Sequence, residues 1–252
     1  MSNIKRFISL ALTVFGIVSA VAAQDAGDKS SGGAATRQNR LDINNLRDVT
    51  GSDGLEKRNK MLKDIVDAIA KGDTSDEVYA ALDYMSTEGI KNKTIRQGIL
   101  LNDYPTVRRD VAIELGKIGT DKAADILIQL CRNETVFDVQ REAIRALGDI
   151  GINENGRAIE AIFSIPLMRR YSARSTTDID FERLVSSAID AFDKIDKKNN
   201  GLAGKFKDVQ EFLDDISKKH FPKRGDQVSI QDRAKLILEE MIKRESQRKQ
   251  GS

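Results

Sequence analysis

Residues Asp138–Gly151 read DVQREAIRALGDIG. Val139, Ala143, Leu147 and Ile150 fall four, four and three residues apart, which places them on one face of a helix. Gly148 stands inside that helix, where glycine costs about 0.5–1 kcal/mol relative to alanine. The same cost recurs upstream. Val107–Gly119 reads VRRDVAIELGKIG, 32 residues before Val139–Gly151, and carries Gly116 at the same register. A third, degraded copy, Leu184–Asp196 (LVSSAIDAFDKID), follows after a step of 45 residues. Its apolar positions Leu184, Ala188, Phe192 and Ile195 match those of the other two.

Recurrence at this period marks a stacked-repeat architecture. Gly116 and Gly148 are then read as places where a neighbouring helix approaches closely. Gly119 and Gly151 lie where a helix stops and a left-handed residue is wanted. Each of the first two copies precedes a second helical run. Asp121–Arg132 carries Ala124, Leu127, Ile128 and Cys131 inward, and Arg157–Leu167 carries Ala158, Ile159, Ile162 and Phe163. The unit is therefore helix, tight turn, helix. One such pair cannot bury its apolar stripe alone, so stacking must complete the core.

With their following helices, VRRDVAIELGKIG and VQREAIRALGDIG resemble HEAT repeats, most nearly the short bacterial type found also in phycobilisome lyase-like proteins. The resemblance implies an all-α, α-α superhelix, a HEAT/armadillo-type solenoid of stacked helical hairpins that binds other macromolecules. The third copy departs from the pattern, with Asp193 and Asp196 where glycines are expected, and suits a capping position.

The flanks continue the helical period. Leu55–Lys71 and Ser75–Thr87 form an amino-terminal pair, and Thr94–Leu101 reads as a bridging turn. Lys205–Lys218 and a helix capped by Ser229, with Asp232 at its third position, follow the repeats. No segment carries a strand pattern. Residues 1–23 have the form of a secretory signal peptide: Lys5 and Arg6, an uncharged apolar run Phe7–Val21, and small residues before a cleavage point near Ala23. The reading along the chain is a signal peptide at 1–23, a flexible polar linker at 24–54, an amino-terminal capping pair at 55–101, HEAT repeats at 102–200, and carboxy-terminal helices with a basic arm at 201–252. The expected location is outside the cytoplasm, in the periplasm or secreted.

Composition narrows the chemistry. The chain has 41 Lys+Arg against 39 Asp+Glu, and both surplus cations lie in the signal peptide. A neutral mature chain gives nucleic-acid binding no electrostatic basis. His220 is the one histidine, so neither a His-Glu metal site nor a His-based nucleophilic site is expected. The carboxylates show no calcium-loop spacing. Cys131, alone and at helical spacing after Leu127 and Leu130, is read as a core residue. The expectation is a protein without cofactor, metal or catalytic residue.

Two features point to partners. The long step before the third copy brings in a cationic segment with Arg169, Arg170, Tyr171 and Arg174. Insertions in repeats map to loops, often on the binding face, and Arg and Tyr are enriched at interface hot spots. An extended second helix ending in a polar turn fits the same residues. Separately, residues 217–252 hold ten Lys+Arg and five Asp+Glu, including Lys218, Lys219, Lys223 and Arg224. This arm would meet anionic lipid or a cell-wall polymer, or form the polar outer face of a cap. Arg224-Gly225-Asp226 spells an adhesion tripeptide, for which a turn-forming loop accounts. The function expected is a non-catalytic scaffold or adaptor that binds another protein of the cell envelope, with lipid or polymer binding through the arm as the alternative.

Overall fold

A computed structural model of the chain describes residues 43–47, 49–169, 178–222 and 228–250. The signal peptide and most of the polar linker lie outside them. Eleven helices are described: α1 (Asn44–Arg47), α2 (Gly51–Ala70), α3 (Asp76–Thr87), α4 (Pro105–Ile118), α5 (Asp121–Asn133), α6 (Phe137–Ile150), α7 (Arg157–Ser164), α8 (Pro166–Arg169), α9 (Ile179–Asn199), α10 (Phe206–Lys218) and α11 (Ile230–Gln250). Helices α2, α4, α6, α9 and α11 lie side by side as one layer. α3 packs on α5 and α5 on α7, forming a second layer. Phe163 of α7 meets Phe212 of α10 edge to face at 5.7 Å, which adds α10 to that layer. Two layers around one continuous apolar seam are the solenoid architecture the repeat pattern predicts.

The glycines act as the repeat requires. A Cβ on Gly116 would sit 2.9 Å from Ala146 Cβ, and one on Gly148 only 2.7 Å from Ala191 Cα. Ala146 and Ala191 hold the same register in successive copies, so each contact joins the glycine of one repeat to the small residue of the next. Gly119 and Gly151 adopt φ of +70° and +78°. Their amides return to the carbonyls of Leu115 and Leu147 at 3.2 and 2.9 Å, closing α4 and α6.

The third copy replaces both glycines with ion pairs. Helix α9 does not stop at Asp196 but runs to Asn199, and Asn200 takes the left-handed conformation (φ 52°). Asp193 and the fully buried Asp196 receive Arg244 of α11 at 2.8 and 2.6 Å, and Asp196 also receives Arg248 at 2.9 Å. The final helix is therefore held by guanidinium–carboxylate bonds where the inner repeats use backbone approach.

A second recurrent device is a buried Arg–Glu pair within each of the first two helix hairpins. Arg58 of α2 donates through Nε to Glu88 Oε2 (2.6 Å), and its other nitrogens reach Glu88 Oε1 and the carbonyls of Leu46, Val49 and Gly54. Arg108 of α4 donates to Glu134 (2.7 Å), Asp103 (2.6 Å) and the Glu88 carbonyl (3.0 Å). Glu88 and Glu134 each occupy the residue that ends the second helix of their pair. The equivalent of Arg108 in the next copy is Gln140, which keeps only the backbone bond, donating to the Glu134 carbonyl at 2.8 Å.

Two readings are corrected. The first long helix begins at Gly51 and not Leu55, and Leu46 is 1% exposed, so the fold starts inside the stretch read as linker. The cause is Arg58, whose bonds to Leu46 and Val49 draw this segment onto α2. Thr94–Leu101 is a small hairpin in which Ile95–Arg96 pairs antiparallel with Ile99–Leu100. Two-residue strands are too short to show period-2 alternation. The Gln97–Gly98 turn, with φ of 51° and 79°, has the two positive angles that a tight hairpin requires. At the carboxy terminus the structure agrees with the cap read from the Ser229 start signal. Residues 230–250 form a docked helix with Ala234, Ile237 and Met241 buried.

Cys131 is fully buried, as expected of a core residue. Burial pushes its thiol pKa from 9.0 up to about 12. Native protein should therefore resist a thiol reagent that labels the unfolded chain. The sign for stability follows from the raised folded pKa. Below pH 9 both states hold the proton and nothing is lost. Between about 9 and 12 the unfolded thiol ionises while the folded one does not, so stability falls as pH rises. Cys131→Ala should lessen the alkaline loss in urea titrations, and an identical loss in the variant would refute this.

Candidate functional site

A cleft of about 410 Å³ opens where α6, α9 and the start of α11 meet. Helix α6 supplies Arg141 and Arg145 from its exposed face, and α9 supplies Glu182, Arg183, Ser186 and Ser187. Pro222, Val228, Ser229, Ile230 and Arg233 close the third side.

Local chemistry fixes these walls. Asp178 caps α9, accepting from the amides of Asp180 (3.0 Å) and Phe181 (3.1 Å). Phe221 is buried and stacks on Phe181 at 6.3 Å, which pins the chain leaving α10 against the start of α9. Ser229 caps α11 as its sequence indicates. Its hydroxyl accepts from the Asp232 amide at 3.2 Å and donates to the Asp232 carboxylate. Arg233, one turn on, ties α11 to α9 through Ser186 Oγ (3.0 Å), the Ser186 carbonyl (3.3 Å) and the Asp190 carboxylate. Burial lowers the pKa of Arg233, but a guanidinium remains a cation at any neutral pH.

The cations are unequally satisfied. Arg141 meets Glu142 at 3.0 Å and Asp138 at 3.6 Å, while Arg145 meets the same Glu142 at 3.3 Å, so two guanidinia share one carboxylate. Arg183 is exposed and has no ion-pair partner among the described residues. Ser187 is 6% exposed, lines the cleft, and has no hydrogen-bond partner among them. Ile179 (45% exposed) and Val228 (67%) form an apolar rim. The site offers donors to an anion beside a small apolar surface. His220 is exposed in the loop after α10, and no cluster of metal-ligating side chains occurs among the described residues.

The residues singled out from sequence lie elsewhere or beyond view. Arg169 ends α8, with its side chain outside the described residues, as are Arg170, Tyr171 and Arg174. Lys223 and Arg224 are also outside them. Lys218 pairs with Asp214 and Lys219 with Asp215 (3.7 Å), each with a carboxylate one turn back, so these two cations of the arm are paired locally. Arg141, Arg145, Arg183 and Arg233 were missed. Each stands on the polar face of an amphipathic helix, and such a face reads as solvated until its neighbours are known. One signal was present: Arg109 and Arg141 hold the same register two residues after Val107 and Val139.

The helix-hairpin stack defines the molecule as an α-α solenoid. Residues 65–164, from the second half of α2 to the end of α7, match the family model of HEAT repeats. The match starts earlier than the 102–200 region assigned from the glycine motif and stops before the third copy. No curated protein and no solved structure matches the chain. No helix among the described residues is long and apolar enough to cross a membrane.

Proposed function

We propose that the protein is a non-catalytic scaffold or adaptor of the cell envelope that binds another protein through the helical layer containing α6, α9 and α11, and that its repeats are of the short bacterial type. HEAT repeats generally mediate protein–protein contacts. The observation that carries the reading is the cleft itself, whose donor groups stand on helices locked to one another by Gly148 and Arg233. A rigid, preformed surface binds without a large ordering cost. Export rests on the charge and hydropathy pattern of residues 1–23. The runner-up, lipid or polymer binding by the arm, is weakened by the local pairing of Lys218 and Lys219.

The test is crosslinking capture by full-length protein from the native envelope fraction, at low and moderate salt. One discrete protein should be enriched at both. Recovery of lipid or cell-wall polymer alone would overturn the scaffold reading, and recovery of the protein itself from the cytoplasmic fraction would overturn the location.

A further inference from the structure

Two guanidinia of the cleft are under-neutralised, and they lie beside a serine hydroxyl that has no hydrogen-bond partner among the described residues. Arg183 lacks an acid among the described residues, and Arg145 reaches only Glu142, at 3.3 Å, a carboxylate that Arg141 already meets at 3.0 Å. The Ser187 hydroxyl lines the same cleft and, with no hydrogen-bond partner among the described residues, is open to a ligand there. We infer that this cleft is the docking site for an acidic linear segment of the protein partner, its carboxylates held by Arg183 and Arg145 and completed by the Ser187 hydroxyl. The inference rests on the scaffold reading and specifies its ligand.

The rim decides between a peptide and a small anion. Ile179 and Val228 expose apolar side chains at the edge of the donor set. A free phosphate would leave both in water, whereas a peptide with an aliphatic residue beside its carboxylates covers them. The cleft volume lies within the range of about 300–1,000 Å³ that holds compact ligand groups. Arg233 is not the reader of the anion. It is committed to Ser186 and Asp190 and holds α11 in place as the third wall.

The probe is a short fluorescein-labelled peptide alternating Glu with Leu, titrated into the full chain by fluorescence anisotropy. Controls are a Lys/Leu peptide, a Glu/Ser peptide and inorganic phosphate. Saturable binding of the Glu/Leu peptide should weaken with added salt. Arg183→Glu should reduce affinity roughly tenfold or more, as loss of a close charge contact does, and Arg145→Glu should act in the same direction. Ser187→Ala should cost a few-fold, in line with about one neutral hydrogen bond. Lys218→Glu, outside the cleft, should leave affinity unchanged. Circular dichroism of each variant checks that the helices are intact.

Absence of binding overturns the inference. So does equal binding by the Arg183→Glu protein, equal loss in Lys218→Glu, or equal affinity for the Lys/Leu peptide. Full displacement by inorganic phosphate together with indifference to the Leu residues would show a small-anion site and reject the peptide. The scaffold reading fails separately: if peptide binds but envelope capture yields no protein, the docking site stands and the scaffold does not, while the reverse pattern retains the scaffold and removes the site.

Discussion

Arg108→Ala should destabilise the protein by about 3–5 kcal/mol, the range found when one partner of a buried ion pair is removed. The Arg108 and Glu134 side chains are 2% and 0% exposed. Burial opposes the charge on Arg108, but its bonds to Glu134 and Asp103 outweigh that penalty and raise its pKa. Without the guanidinium, Glu134 keeps two amide donors, Thr135 and Val136, each at 2.7 Å, and no cation. The Glu88 carbonyl also loses its donor. Urea unfolding should show a lower midpoint with an unchanged slope. Glu134→Gln keeps the acceptor for the amides and removes the stranded charge, so the double variant should lose much less than the sum of the two single losses. Strict additivity would mean that the pair is not coupled.

Gly148→Ala is the second large effect, and its sign decides the meaning of the repeat glycine. In an open helix the substitution would gain about 0.5–1 kcal/mol. Here the new methyl group would lie 2.7 Å from Ala191 Cα and 2.9 Å from its Cβ. The obstruction is backbone, so α6 and α9 must separate. Overpacking of this kind costs about 1–3 kcal/mol, and the upper part of that range leaves a net loss of about 2 kcal/mol. A thermal or urea measurement showing stabilisation would refute close approach at this point. The companion site tests the geometry further. At Gly116 the nearest atom is the Ala146 methyl carbon at 2.9 Å, with the Ala146 Cα at 3.1 Å. Ala146→Gly should therefore rescue Gly116→Ala more fully than Ala191→Gly rescues Gly148→Ala, because the 2.7 Å contact at Ala191 belongs to the main chain.

Much of this was legible in the residues. The apolar positions of α4, α6 and α9 are all in the core as the spacing predicts, and only Ile118 is not fully buried. The left-handed termini at Gly119 and Gly151, the Ser229 cap and the inert Cys131 follow from local chemistry, which a single sequence carries. The site was less legible. Its arginines come from helices separated by up to 92 residues in sequence, from Arg141 to Arg233. Nothing in any one helix distinguishes Arg183, which has no carboxylate partner among the described residues, from Arg244, which has three. Charge counts suffer the same blindness. The surplus in residues 217–252 reads as a basic arm until Asp193, Asp196 and Asp214 are seen to take up much of it.

By itself, the sequence determined that this chain stacks helix pairs, which faces are apolar, and where α4 and α6 stop. Those properties depend on period and on backbone freedom, both local. Tertiary structure alone decided that α11 docks on α9, that Arg58 ties Leu46 and Val49 to α2, and that four arginines converge on one cleft. These depend on which polar side chains meet across helices, and a guanidinium looks the same in sequence whether a carboxylate is beside it or not.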